Sequence, residues 1–338
     1  MINVSFKAIF FPVLPPYPTT MKKFLRYLLS GLAVIVLLMG AGALFIQLRG
    51  IPTYEKPVLQ QSVEIHPQRI ARGKKLATML CAGCHLNSET KQLTGKHMSD
   101  APPIFGEIHS PNITQDKTYG IGEWTDGEII YLLRTGIKRD GSYAPPYMAK
   151  LPHMSDEDIA SVVAFLRSDD EMVRASEVPS VPSQPSFMTK FLSNIEFKPL
   201  PFPTTAINIP DSTDLVAYGR YLTVNLDCWT CHSGDFTKLD IMVPENSYHF
   251  LAGGNKMLDL QGKEMVTLNL TPDKETGIGN WSEEQFIRAV KYGIIDGEPA
   301  LRYPMVPYPQ LTDYEAKAIY AYLQTIPPVK NPVKRSSM

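Results

Sequence analysis

The stretch NITQDKTYGIGEW, ending at Trp124, returns as NLTPDKETGIGNW, ending at Trp281, 157 residues further along the chain. The same displacement relates Gly136 to Gly293, Ile137 to Ile294, and the run Ser155 to Leu166 to the run Thr312 to Leu323. A displacement held over this length marks a duplicated domain, so equivalent positions can be compared before any chemistry is assumed. CAGCH at Cys81 pairs with CWTCH at Cys228 at a displacement of 147, so the second copy carries ten extra residues after its cysteines, which we place in a loop near Leu251 to Lys263. A chain of 338 residues is long enough for two such cores.

Local signals agree between the copies. Thr125 with Glu128 and Ser282 with Gln285 read as capping boxes that open short helices, and Gly136 and Gly293 stand where a left-handed residue closes a helix. A second pair of helices starts at Ser155 and Thr312, with Ile159, Val162, Val163 and Leu166 at helical spacing. Helical stretches also precede the cysteines, over about Pro67 to Leu80 and Asp211 to Leu226. No strand pattern of any length intervenes, and each copy reads as all-α. The intended organisation is domain 1 over 60–168, a proline-rich linker over 169–210 and domain 2 over 211–328. The linker also carries Phe187, Phe191, Leu192, Ile195 and Phe197, so part of it is expected to pack on a domain, with a short helix near Met188 to Asn194.

Between Tyr27 and Leu48 there is no charged residue. That length of helix reaches roughly 33 Å, enough to cross a bilayer, so 27–48 reads as a transmembrane anchor. Lys22, Lys23 and Arg26 precede it and keep the extension 1–26 cytoplasmic by the positive-inside rule, which exports everything after Arg49. The alternative is a cleaved signal peptide, with Ala41-Gly42-Ala43 as the cleavage site and the mature chain secreted to the periplasm. Met21, followed by its lysines, is a candidate start. With 33 Lys and Arg against 34 Asp and Glu, the chain has no basic field for nucleic acid.

All four cysteines fall in two C-x-x-C-H pentads, Cys81, Cys84, His85 and Cys228, Cys231, His232. On a helical turn the two sulfurs and the imidazole share one side. Zinc, a redox dithiol and a disulfide each suit C-x-x-C but leave the histidine unexplained; haem c uses all three groups, two thioether bonds to the porphyrin and the histidine as proximal iron ligand. Two covalent haems c are therefore expected, attached on the exported side. For the second axial ligand the repeat selects Met148 and Met305, which share the displacement of 157, whereas His153 aligns with Gln310 and Met154 with Leu311. Thioether ligation favours Fe(II), raises the potential and fills the iron's last position, which suits one-electron transfer better than catalysis. Trp124 and Trp281 are candidate pocket walls or ordinary core, and Asn112 and Asn269 are candidate propionate partners or turn caps.

CAGCH, CWTCH, the two GIG-x-W segments, AGGN near Ala252 and YPMVPYPQLTDYEAKAIYAYLQTIPP resemble the cytochrome c subunits of membrane-bound alcohol and gluconate dehydrogenases, over about Arg69 to Pro328. The resemblance implies two tandem cytochrome c domains after an N-terminal transmembrane helix, axial methionines at Met148 and Met305, and electrons accepted from a dehydrogenase and delivered to quinone, an oxidase or another cytochrome. Those subunits commonly carry three haem domains where two pentads stand here, and the N-terminal anchor differs from their usual attachment. The expected role is thus a non-enzymatic, membrane-anchored electron carrier facing the periplasm from the bacterial inner membrane. The rivals are a dihaem peroxidase, with His97, His109 or His249 as an exchangeable ligand, and a haem-based sensor.

Overall fold

The computed structural model describes residues 19–333; most of the extension 1–26 lies outside them. The chain divides into two units, one ending at Gly50 and one beginning at Ile51. In the first, helix α1 (Thr19–Arg49) starts upstream of the expected span and takes in Met21 and the three basic residues before Tyr27, because leucine, lysine and arginine are all good helix formers and nothing before Gly50 breaks the ladder. Its apolar side chains are exposed along its length.

The second unit is mostly helical and holds two lobes of the same design. In the first lobe α2 (Pro67–Leu80) leads into α3 (Ala82–His85), followed by α4 (Asp126–Thr135) and α5 (Asp156–Leu166). After α6 (Phe187–Ile195), the second lobe repeats the series as α7 (Leu215–Asn225), α8 (Cys228–His232), α9 (Glu283–Tyr292) and α10 (Asp313–Leu323). Both expected capping boxes form, and Gly136 and Gly293 close their helices in the left-handed conformation, at φ 83° and 72°. Ile159, Val162, Val163 and Leu166 are all buried, in a core shared with Leu76, Ile129 and Leu133; Ile319 and Leu323 do the same with Leu222 and Phe286.

In each lobe the helix before the cysteines crosses the last helix at a glycine. A Cβ on Gly73 would lie 1.8 Å from the Ser161 carbonyl oxygen, and one on Gly219 would lie 1.8 Å from that of Ala318. The backbones touch, so no side chain fits between them. Neither glycine stood out in the sequence, because a glycine inside a helical run carries no label for close approach.

Two features depart from the all-α expectation or its details, and a third gives the expected packing of the linker its partners. Short antiparallel pairs form between β1 (Gly106–Glu107) and β2 (Gln184–Pro185), and between β3 (Lys256–Leu258) and β4 (Glu264–Val266). They are two or three residues long, too short to show a period-2 pattern. The extra residues of the second lobe lie upstream of the expected loop: the Gly95 amide donates to the His85 carbonyl and the Gly253 amide to that of His232, so the insertion falls between His232 and Gly253, in two short 3-10 turns. A constant displacement between motifs cannot place a gap inside them; the backbone bonds can. Finally, the proline-rich stretch wraps the first lobe. Ser183 exchanges hydrogen bonds with the His109 backbone, the Leu200 amide donates to the Thr135 carbonyl, Phe202 stacks on Tyr131, and the Asp156 amide donates to the Ile207 carbonyl while the Ile207 amide donates to the Asp156 carboxylate.

The lobes meet across a pseudo-two-fold contact. Asp158 and Glu315 are repeat equivalents, each in the first turn of its lobe's last helix, and each is reached by the other lobe's helix before the cysteines. Lys75 and Arg72 of α2 bond Glu315, and Tyr221 of α7 donates to Asp158 at 2.6 Å. Arg72 also grips Asp158 within its own lobe by two bonds of 2.8 Å. Met79 and Leu80 pack against both cores.

Candidate functional site

Each pentad sits on a short helix immediately after the crossing helix. In the first lobe Cys81 caps α2 in helical conformation, so the two helices are nearly continuous. In the second, Asp227 interposes a left-handed residue at φ 61° before α8. His85 and His232 are buried, and their Nδ1 atoms stand 2.9 Å and 2.7 Å from the carbonyl oxygens of Pro111 and Leu268. A carbonyl can only accept, so Nδ1 carries the proton and Nε2 keeps its lone pair for a metal. Burial, the largest influence on both rings, holds them below the ordinary imidazole value and therefore neutral. Pro111 and Leu268 are themselves equivalent at the 157 displacement, so the two lobes orient their histidines by the same bond.

The thiols lie in apolar surroundings. Burial pushes Cys81, Cys228 and Cys231 up to about 12 and raises Cys84, so they remain protonated. Lys96 partly offsets the effect at Cys84.

In the second lobe, Cys228, Cys231, His232 and Met305 line one cavity of about 730 Å³, together with Trp281, Ile278, Phe286, Leu301 and Tyr308. Its size lies within the roughly 300–1,000 Å³ of cofactor sites, and its walls are mostly apolar, as a porphyrin face requires. The residues fit haem c: two thiols on one wall, a neutral imidazole with a free lone pair, and a thioether on the same lining. In the first lobe, Cys81, Trp124 and Met148 each pack against the core that contains Leu76, Ile129 and Val162. The loop carrying Met148 is tied down from below by Arg134, which is fully buried on α4 and donates to the carbonyls of Leu151 and Met154 and to the Asp156 carboxylate. Lys291 holds Asp313 in the equivalent place. Sequence inspection passed over both cations, whose only advance signal was an equivalent basic residue inside a helix.

Trp281 lines the second-lobe cavity and also packs against the core of its lobe, and Trp124 packs against the core of the first. Asn112 and Asn269 are buried anchors. Their Oδ1 atoms accept from the Thr114 and Thr271 amides and their Nδ2 atoms donate to carbonyls after the last helix of each lobe, Ser176 and Val178 in one and Val329 in the other. Their hydrogen-bonding capacity is taken up by protein, which settles the choice between propionate partner and turn cap for the cap. His249 stacks on Tyr248, and His97 faces His109 across a β-bridge.

Residues 70–169 match the family model for cytochrome c, so the first lobe carries a cytochrome c domain. The chain is 31% identical over 322 residues to the fructose dehydrogenase cytochrome subunit of Gluconobacter japonicus, covering 88% of this chain and 59% of that one. It is 29% identical over 259 residues to the cytochrome c subunit of the quinone-dependent alcohol dehydrogenase of Komagataeibacter europaeus, covering 74% and 54%. It is 27% identical over 317 residues to a dihaem cytochrome c-type protein of Cereibacter sphaeroides, covering 90% of this chain and 99% of that one. The chain thus spans a little over half the length of the dehydrogenase subunits. Cytochrome c subunits of alcohol and gluconate dehydrogenases are among its homologues, as the resemblance in the sequence implied.

Proposed function

We propose that the chain is a dihaem electron carrier. One haem c is attached through Cys81 and Cys84 with His85 and Met148 as axial ligands, and a second through Cys228 and Cys231 with His232 and Met305. The second lobe is on this reading a cytochrome c domain like the first, with bounds near 211–328 against 60–168. The observation that carries it is the recurrence, at repeat-equivalent positions, of a buried neutral histidine whose Nδ1 is committed to a backbone carbonyl. Haem bound there supplies one-electron exchange between Fe(III) and Fe(II). The protein's part is to fix the imidazole orientation, to exclude water from the porphyrin faces with apolar walls, and to hold the Met148 loop in reach through Arg134.

The electron donor on this proposal is a periplasmic or membrane dehydrogenase, and the acceptor is quinone, an oxidase or another cytochrome of the respiratory chain. Helix α1 anchors the chain in the bacterial inner membrane, with the haem lobes in the periplasm. Its support is an uncharged apolar run from Tyr27 to Leu48 with exposed side chains and three basic residues ahead of it.

The test is a visible spectrum of the membrane fraction, oxidised and reduced, with covalent haem counted per chain. Two haems and the weak methionine-to-iron band are expected, with half of that band lost in Met148→Ala and half in Met305→Ala. One haem per chain overturns the proposal, and a high-spin haem that takes up peroxide in the unaltered protein overturns it in favour of a peroxidase.

A further inference from the structure

His97, Glu107 and His109 converge on the first lobe, outside both pentad sites, and their ligand atoms all lie within 4.8 Å of one another. Strand geometry brings them together. The Met98 amide donates to the Ile108 carbonyl and the Ser110 amide to that of Lys96, which makes His97 and His109 a directly opposed, non-hydrogen-bonded antiparallel pair. In such a pair the side chains stand on the same face at close range. Glu107, two residues before His109 on the same strand, points to that face as well. The imidazole centroids are 4.9 Å apart, and Glu107 Oε1 lies 3.1 Å from His109 Nε2.

The strand is held from both sides. Glu107 pairs with Gln184 in β2, and Ser183 both accepts from the His109 amide and donates to its carbonyl. The backbone that presents the three groups is therefore fixed before any ligand arrives, which lowers the ordering cost of binding.

The second lobe shows what the same strand pair does without histidines. There Lys256 stands opposite Val266, and Glu264, two residues before Val266, takes the place of Glu107. Lys256 Nζ lies 3.0 Å from Glu264 Oε1, so an ammonium fills the cation's place beside that carboxylate. In the first lobe the ammonium is replaced by two imidazoles, which offer lone pairs instead of a charge.

We propose that His97, Glu107 and His109 form a binding site for one divalent transition-metal ion, of the zinc or copper class, on the first lobe. Two imidazole nitrogens and one carboxylate oxygen match the ligand preference of these ions and leave a fourth position for water. Glu107 is exposed and His109 half-buried, so the ion enters from solvent. The site does not depend on what the pentads hold.

The experiment uses the full-length chain in detergent, produced without a polyhistidine tag in cells that mature cytochromes c, and titrated calorimetrically with Zn²⁺ alone. One Zn²⁺ per chain is expected, with a dissociation constant at or below about 10 μM. His97→Ala and His109→Ala each weaken it at least tenfold, Glu107→Gln weakens it less, and His249→Ala leaves it unchanged. The double change His97→Lys with His109→Val reproduces the residue pair already folded in the second lobe and abolishes binding. With Cu²⁺ as the probe, electron paramagnetic resonance shows two nitrogen ligands in the unaltered chain and one in His97→Ala. Absence of Zn²⁺ binding, binding that survives both single histidine changes, or a nitrogen count unaltered by His97→Ala overturns the proposal.

Discussion

Glu315 is the clearest place to perturb the contact between the lobes. Its side chain is nearly buried; it accepts from Lys75 and Arg72 of the other lobe and from the Thr312 amide and hydroxyl of its own capping box. Burial works to raise its pKa, but the Lys75 bond and the Thr312 amide outweigh it and hold the carboxyl below the ordinary glutamate value. Glu315→Gln keeps the volume and removes the charge. Arg72 retains its two-pronged grip on Asp158, so the loss falls mainly on Lys75, whose side chain is 20% exposed and regains some water. The cost therefore lies between the roughly 1 kcal/mol of a surface pair and the 3–5 kcal/mol of a fully buried one, at about 2 kcal/mol near pH 7. A carboxylate whose folded pKa is depressed stabilises above its unfolded value, and the gain is lost as pH falls through the folded one. The variant and the unaltered chain should converge in acid. The assay is urea unfolding of the full-length chain in detergent, followed by circular dichroism and visible absorption at pH 7 and at stepwise lower pH. A difference under about 0.5 kcal/mol at pH 7, or one that persists unchanged into acid, would refute the assignment of this bond as a coupling between lobes.

Other outcomes follow from the same structure. Gly219→Ala forces a Cβ into the Ala318 carbonyl, a backbone contact that no rotamer relieves; a loss of about 3 kcal/mol is expected in the thermal unfolding of the second lobe, and Gly73→Ala should do the same in the first. Arg134→Met leaves the Leu151 and Met154 carbonyls without their donor, at a cost of about 3 kcal/mol, and in the haem-loaded chain should weaken the methionine-to-iron band of the first lobe while sparing the second. Burial pushes the Asp227 carboxyl up to about 6, partly offset by a hydrogen bond from Thr230. Its folded value is above its unfolded one, so the penalty appears as pH rises from about 4 through 6; relative to the unaltered chain, Asp227→Asn should gain about 3 kcal/mol across that window, and a pH-independent difference would show that Asp227 is not the titrating group.

Much of the architecture was legible in the residues because duplication supplies its own control. Helix starts came from paired caps such as Thr125 with Glu128, and the buried faces from the spacing of Ile159, Val162, Val163 and Leu166, since a cap lies within four residues and an apolar face recurs every 3.6. The pentads were legible for the same reason, as their chemistry is written within five consecutive positions. Groups that act over distance were not. Gly73 and Gly219 look like ordinary helix residues until a second helix is laid on them, and Arg134 looks like a surface cation until the loop it supports closes over it. Asn112 and Asn269 resembled possible cofactor partners until the segments after the last helices were seen to occupy their amides. The pairing of His97 with His109, and of Tyr221 with Asp158, depends on strand register and lobe docking, which emerge only when residues far apart in sequence share a surface. By itself, then, the sequence determined the repeat, the helices and the pentads, which rest on neighbours along the chain. Only the tertiary structure decided which carbonyl orients each histidine, which glycines must stay glycine and how the two lobes grip one another, because those depend on backbone contacts that no local pattern encodes.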